Sequence, residues 1–365
     1  MFDLPGSLPV WFALAVALGY LLAPLSGRLG AHAGLIDRPR PGEVQTHPVP
    51  RTGGYGMAAA FLATVGLAWL LTGEVPGGHP AKLIGLALGI AVTIPLALLD
   101  DARRLGPAPQ LLWHLGLGLI AVLSGVVIDS VANPFGPRPF PGTIPLPMWI
   151  AVPFTLFWIA GMVNTLNWID TMDGLAAGVS AIAALVLFAL SMRLGQYSVA
   201  VLPLVLAGVC VGFLPHNFHR AKLFMGTCGS VFLGYTLAVL SIIGGAKIAT
   251  ALMVLGVPIF DTAWVILYRT LQGRNPTRGG DHAHLTHRLL AVGMSVRKTV
   301  LLLYGLCLGF GLLALTLQGA QKFVGLAALA LVSTGLVVAL ALRARSNAPT
   351  SARPDLPMHR SHDIA

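Results

Sequence analysis

Apolar residues in this chain come in long runs. Stretches close to the ~20 residues that carry a helix across a bilayer fall at 8–27, 53–72, 81–99, 110–128, 148–166, 175–192, 197–214, 229–245, 248–268, 299–317 and 323–342. The pattern predicts an all-α integral membrane protein, a polytopic bundle of about eleven transmembrane helices. Run 197–214 is one of the shorter ones and also fits a re-entrant segment. The opening "MFDLPGSLPV" has an acid and no basic stretch, so the first run reads as a retained helix, not a cleaved signal peptide. Connections such as "EVPGGHP" and "NPFGPRPFPGTIP" are short or rich in Pro and Gly, and no internal repeat or soluble domain stands out. The polar, Pro-containing end is expected to be disordered. The organisation is a transmembrane domain, 1–345, and a disordered cytoplasmic tail, 346–365.

Composition agrees with this reading. Of 365 residues, 56% are hydrophobic and only 10% charged, where soluble domains carry about 25% charged residues. Cys210, Cys228 and Cys307 stand alone, so neither a disulfide framework nor a cysteine zinc site is encoded. With eleven spans and the N-terminus outside, 18 of the 23 Lys and Arg residues fall on the inner side, as the positive-inside rule requires. The outer side keeps Lys82, Arg138, Arg193, Lys247 and Lys322. The net charge of +10 is therefore a topology signal. No aromatic-interleaved basic patch or nucleic-acid motif accompanies it, which excludes nucleic acid as a partner.

The carboxylates sort the same way without a rule that makes them. Asp37, Glu43, Asp100, Asp101, Asp170, Asp173, Asp261, Asp281, Asp355 and Asp363 fall inside or near inner span ends, whereas Asp3, Glu74 and Asp129 fall outside. Ionisable groups near membrane depth are costly and mark functional cavities, so a multi-acid site facing the cytoplasm is expected. In "ALLDDARRLG" (97–106) two acids at a helix C-terminus oppose the helix dipole. Adjacent residues project about 100° apart on a helix, which suits Asp100 and Asp101 to different jobs. In "NTLNWIDTMDG" (164–174), Asn164, Asn167, Asp170 and Asp173 recur every third residue. One straight helix cannot aim all four at one point, but a helix that breaks before Gly174 can. Their oxygens are hard ligands, suited to Mg²⁺ or Mn²⁺.

A cationic counterpart lies in the longest inner loop, 269–298, with six Lys or Arg and His282, His284 and His287. Arg and His beside a divalent ion suit a phosphate-bearing substrate. A basic juxtamembrane loop also meets anionic headgroups without any catalytic role. The loop "DRPRPGEVQTHPVPRTGG" adds Asp37, His47 and Arg51.

Five ordered signatures now carry a resemblance over residues 34–290. They are "HPVPRTGG" (47–54), "LLDDARRL" (98–105), "NTLNWIDTMDGLAAG" (164–178), "FMGTCGS" (224–230) and "DHAHLTHRL" (281–289), the last preceded by "PIFD" (258–261). Together they resemble the prokaryotic polyprenyl-phosphate N-acetylhexosamine-1-phosphate transferases, glycosyltransferase family 4. The resemblance implies transfer of sugar 1-phosphate from a UDP-N-acetylhexosamine to polyprenyl phosphate in the plasma (inner) membrane, with UMP released on the cytoplasmic side and Mg²⁺ required. By the same resemblance, Asp100 and Asp101 lie by the reacting phosphates, with Asp100 the candidate to take the lipid phosphate's proton. Asp170 and Asp173 line the metal and nucleotide-sugar site. Asn167, Asp170 and residue 227 belong to the metal shell. Arg51, Asn164, Arg274, His284, His287 and Arg288 are the substrate-binding candidates, and a homodimer is compatible with the resemblance.

Three departures stand out. The family usually has Asp where this chain has Thr227; its DGxDG is here Asp170-Thr171-Met172-Asp173-Gly174; and its His-Leu-His-His is His284-Leu285-Thr286-His287. "PVPRTGG" and "HLTHRL" resemble the branch that uses UDP-GlcNAc-type donors more than the branch that uses UDP-MurNAc-pentapeptide. A catalytically silent relative, suggested by Thr227, is one alternative. A transporter is another, but it would place its acids near mid-bilayer in two related halves, and no such halves are seen.

Overall fold

The computed structural model describes residues 6–39, 47–133, 142–245, 247–273, 284–319 and 321–346. Its helices are α1 (Leu8–His32), α2 (Gly53–Thr72), α3 (Pro80–Arg103), α4 (Pro107–Leu123), α5 (Met148–Ile169), α6 (Leu175–Arg193), α7 (Tyr197–Asn217), α8 (Gly226–Ile242), α9 (Ile248–Val254), α10 (Gly256–Leu271), α11 (Leu285–Ala291), α12 (Val296–Thr316) and α13 (Gln321–Ser346). Every apolar run in the sequence is met by a helix or a helix pair. Eight helices are long and apolar enough to cross a membrane, while α4 and α8 are apolar but only 17 residues each. The run 197–214 lies within an unbroken 21-residue helix, so nothing in its shape is re-entrant.

One expectation needs correction. Run 248–268 is not one straight helix, because α9 and α10 meet at 78° around Leu255. Pro258 lacks the N–H that would reach back one turn to Val254, and Gly256 sits at the break, so the ladder is lost there. The chain is otherwise an all-α bundle, as expected. Two short antiparallel hairpins lie in its connections, β1 (Ile36–Asp37) with β2 (Val49–Pro50) and β3 (Ser130–Ala132) with β4 (Thr143–Pro145). The tail expected to be disordered lies, beyond Ser346, outside the described residues.

Helix α8 is the axis of the bundle. Every residue from Cys228 to Ile242 is buried, as an all-round apolar sequence demands. It packs against α2, α3 and α5. At its centre, the Tyr235 hydroxyl donates to the Gly85 carbonyl of α3 at 2.9 Å. Nearby, Trp158 Nε1 of α5 donates to Ser241 Oγ of α8 at 2.9 Å. In a lipid-facing bundle such buried polar groups must find partners on neighbouring helices.

The start of α8 is fixed by backbone. Phe224 N–H donates to the Pro50 carbonyl, Gly53 N–H to that of Phe224 and Gly54 N–H to that of Met225, each at 2.9 Å. "PRTGG" and "FMG" thus zip together, and α2 begins against the first turn of α8. A Cβ on Gly54 would lie 2.1 Å from Gly229 N and 2.3 Å from its Cα; only glycine allows this approach. Gly54→Ala should therefore lower the detergent-solubilised melting temperature, since overpacking of this kind costs roughly 1–3 kcal/mol. A variant that melts with wild type would mean that α2 and α8 do not touch here.

Candidate active site

Asp100 and Asp101 end α3, both largely buried. Beyond them Arg104 takes a left-handed conformation (φ 50°) and the chain turns into α4 at Pro107. Asp100 is fully engaged: Oδ1 accepts from Leu105 N–H at 2.9 Å and Gln110 Nε2 at 3.0 Å, while Oδ2 lies 2.9 Å from Thr227 Oγ1. Asp101 has a different set of neighbours. Its Oδ1 lies 3.1 Å from the same threonine hydroxyl and 3.3 Å from Arg51 Nη2. Its Oδ2 is buried, and the buried Tyr55 hydroxyl lies beside the Asp101 carboxylate, placed to donate to it. The two acids do have different surroundings, as adjacent positions on a helix require.

Two acids at a helix C-terminus face an unfavourable dipole, and the fold answers with the N-terminus of α8. Thr227 supplies a hydroxyl to both carboxylates and a backbone N–H to Asp101. The positive end of the α8 dipole adds to this. One turn on, Ser230 Oγ lies 3.0 Å from Asn167 Oδ1 of α5. Thr227, Asn167 and the acid pair are thereby joined through α8.

Helix α5 stops at Ile169, with Asp170 as its cap, and α6 resumes after Gly174 at φ 79°. This is the break that the three-residue spacing calls for. Asp170 is half-buried and within electrostatic reach of Arg51, which pairs with Asp101. Burial first, and then the Asp173 carboxylate, push the Asp170 carboxyl up to about 7, against the opposing pull of Arg51. Asp173 makes a different contact: its Oδ2 accepts from Ala221 N–H at 3.0 Å and lies 3.3 Å from His219 Nδ1. Asn164 Nδ2 donates to the Ala160 carbonyl of its own helix at 2.8 Å and lies beside buried His114 of α4.

His284 joins the site from the far side of the sequence. Its Nδ1 lies 2.8 Å from Asp261 Oδ2, whose other oxygen accepts from Leu285 N–H at 2.7 Å. The His284 ring meets Trp168 edge-on at 6.3 Å, and Thr286 Oγ1 lies 3.3 Å from Thr171 Oγ1. "HLT" therefore abuts the Asp170–Asp173 turn. Arg288 lies over the Tyr268 ring at 6.0 Å, and His287 sits on α11 beside it. Arg274 lies outside the described residues. The structure adds four residues that the sequence did not single out: Tyr55, Gln110, His219 and Ser230. Ser230 closes "FMGTCGS" and Tyr55 follows "RTGG", so motif edges could have flagged both; Gln110 and His219 carry no such signal.

The carboxylates of Asp101 and Asp170 and the neutral oxygens of Thr227 and Asn167 are all hard donors of the kind suited to Mg²⁺. Among the described residues no three His, Cys, Asp or Glu side chains converge as a metal cage, so substrate phosphates would have to complete any such shell. Thr227→Val removes the shared donor and leaves two buried carboxylates short of a hydrogen bond, at a cost of about 1–3 kcal/mol. Its melting temperature should fall, while Thr227→Ser should melt close to wild type. Equal melting of Val and wild type would show that the hydroxyl does not hold the pair.

The Glycosyl transferase family 4 profile matches residues 83–245, which contain the acid pair, the broken α5–α6 connection and α8. Over 87% of each chain, the protein is 32% identical to a "Probable undecaprenyl-phosphate N-acetylglucosaminyl 1-phosphate transferase" of Bacillus subtilis (strain 168). It is 35% identical to a "Decaprenyl-phosphate N-acetylglucosaminephosphotransferase" of Mycobacterium tuberculosis (strain ATCC 25618 / H37Rv), over 77% of this chain and 74% of the relative. A "Phospho-N-acetylmuramoyl-pentapeptide-transferase" of Synechococcus sp. (strain JA-3-3Ab) shares 35% over 65% of this chain and 68% of its own. An acid pair braced by α8, within a match spanning most of both chains, makes this protein a membrane-embedded member of glycosyl transferase family 4.

Proposed function

We propose that the protein transfers N-acetylglucosamine 1-phosphate from UDP-GlcNAc to a polyprenyl phosphate and releases UMP, starting the assembly of a wall or surface glycan. The observation that carries this reading is the near full-length similarity to a relative named for that transfer, joined to an acid pair at the end of an apolar helix. Arg51, Arg103, Arg104, Arg220, Lys222 and Arg297 lie toward the same end of the bundle. By the Lys/Arg rule that end faces the cytoplasm of a plasma-membrane protein, where UDP-sugars are found.

The chemistry is one displacement at phosphorus. An oxygen of the lipid phosphate attacks the sugar-bearing phosphorus of the donor; the bond to the UMP oxygen breaks, and UMP carries away that electron pair. Such transfers need positioning and charge neutralisation more than covalent help. Resemblance alone favours Asp100 as the acceptor of the lipid phosphate's proton. The surroundings favour Asp101, which carries the phosphate-seeking Arg51, while Asp100 is held on both oxygens by Leu105, Gln110 and Thr227. Arg51, paired with Asp101 and within electrostatic reach of Asp170, is placed to meet phosphate oxygens. Asp101, Thr227, Asn167 and Asp170 would hold Mg²⁺, which when bound neutralises charge on the diphosphate. Thr227 brings a neutral oxygen where the family brings a carboxylate, so a bound donor diphosphate becomes a larger part of that shell. His284 and Thr286, against the Trp168 and Thr171 turn, line the wall where the donor would lie.

The test is UMP release by the purified full-length protein with polyprenyl phosphate and a donor panel. UMP should appear with UDP-GlcNAc, require both substrates and stop when divalent ions are chelated. Preference for UDP-MurNAc-pentapeptide would move the protein to the other branch. Silence with every donor would make it a non-catalytic relative.

A further inference from the structure

The bundle end opposite the acid pair carries a group of cations that the transfer reaction does not use. Arg193 closes α6, Lys247 immediately precedes α9 and Lys322 is the second residue of α13. Lys247 is only 2% exposed, and its Nζ donates to Ser191 Oγ at 2.6 Å, two residues before Arg193. Lys322 Nζ donates to Thr250 Oγ1 at 2.7 Å, one turn along α9 from Lys247. Arg193 Nη1 donates to the Leu315 carbonyl near the end of α12, and Arg193 is close enough to Lys322 to repel it. Arg193 and Lys322 therefore meet where the ends of α6, α12 and α13 come together, with Lys247 buried behind them between α6 and α9.

Every one of these partners is a neutral oxygen. Among the described residues no carboxylate pairs with Arg193, Lys247 or Lys322. Each ammonium has three N–H donors, and each has one described partner. Holding Arg193 and Lys322 within reach of one another, and burying Lys247 nearby, is unfavourable unless a counter-charge arrives. Burial also pulls Lys247 below its ordinary value, to about 8, the direction expected of a cation kept from water without an anion.

The spot lies at the ends of apolar helices, level with lipid headgroups, and two of the three cations reach its surface: Arg193 is exposed and Lys322 half-buried. Basic pockets between membrane helices take phosphate headgroups in this way. We propose that Arg193, Lys247 and Lys322 form a second, non-catalytic site that binds the phosphate of an anionic lipid in the leaflet opposite the acid pair. A glycerophospholipid and an isoprenoid phosphate share that chemistry.

Native mass spectrometry on the full-length protein in a neutral detergent tests this, with phosphatidylglycerol, phosphatidylcholine and farnesyl phosphate as probes. Phosphatidylglycerol should bind on the order of tenfold tighter than phosphatidylcholine, as two or more headgroup-facing cations allow. The preference should vanish in the Arg193→Gln/Lys322→Gln double variant, whose changes lie at the surface and leave the fold intact. Farnesyl phosphate displacing phosphatidylglycerol from wild type, with both lost in the double variant, identifies an isoprenoid phosphate; no displacement identifies the phospholipid. In detergent without lipid, Lys247→Met should melt at or above wild type, because it removes a buried charge lacking a counter-ion. Equal binding of the two phospholipids by wild type, or an unchanged preference in the double variant, would overturn the proposal.

Discussion

Two adjacent carboxylates buried at the end of an apolar helix are the constraint around which the rest of this structure is arranged. A buried, unpaired charge costs several kcal/mol even after relaxation, and Asp100 and Asp101 also sit at the wrong end of a helix dipole. The fold meets that cost from three directions. The turn after α3 supplies Leu105 N–H and Gln110, the start of α8 supplies Thr227, and the loop before α2 supplies Arg51. Asp101 thus has the Arg51 guanidinium on one oxygen and the Tyr55 hydroxyl beside its carboxylate.

Holding these groups in register requires that α2 and α8 start together. The backbone zipper between "PRTGG" and "FMG" does this, joining two motifs about 175 residues apart beside the acid pair. Arg51 precedes one helix and Thr227 begins the other, so a shift of either start would pull a donor from the carboxylates. The central position of α8 adds rigidity, since neighbouring helices enclose nearly its whole length. The wall opposite is held differently, by pairs reaching across loops: Asp261 with His284, and Asp173 with His219 and Ala221.

Much of this was legible in the sequence, for physical reasons. A bilayer allows few backbone solutions, so each apolar run had to become a helix. Polar residues at run ends pointed to the site because they are costly there, and the break in α5 followed from spacing alone. The α9–α10 bend was hidden because its residues are as apolar as a straight span, and only Gly256 and Pro258 hinted at it. The different surroundings of Asp100 and Asp101 depend on Gln110, Arg51 and Thr227, placed by tertiary packing that no local pattern encodes. Likewise, nothing near Asp173 announces His219, 46 residues away.

The central claim is that Asp101, paired with Arg51, faces the reacting phosphates. Single-turnover UMP release by Asp101→Asn measures this most directly, because the change keeps size and most hydrogen bonding while removing charge. The rate should fall by at least ~10², the lower end for a positioned acid–base group, with the protein still folded and membrane-inserted. Asp100→Asn should also slow the reaction, but less. Near wild-type turnover in Asp101→Asn would contradict the account and move the chemistry away from this pair.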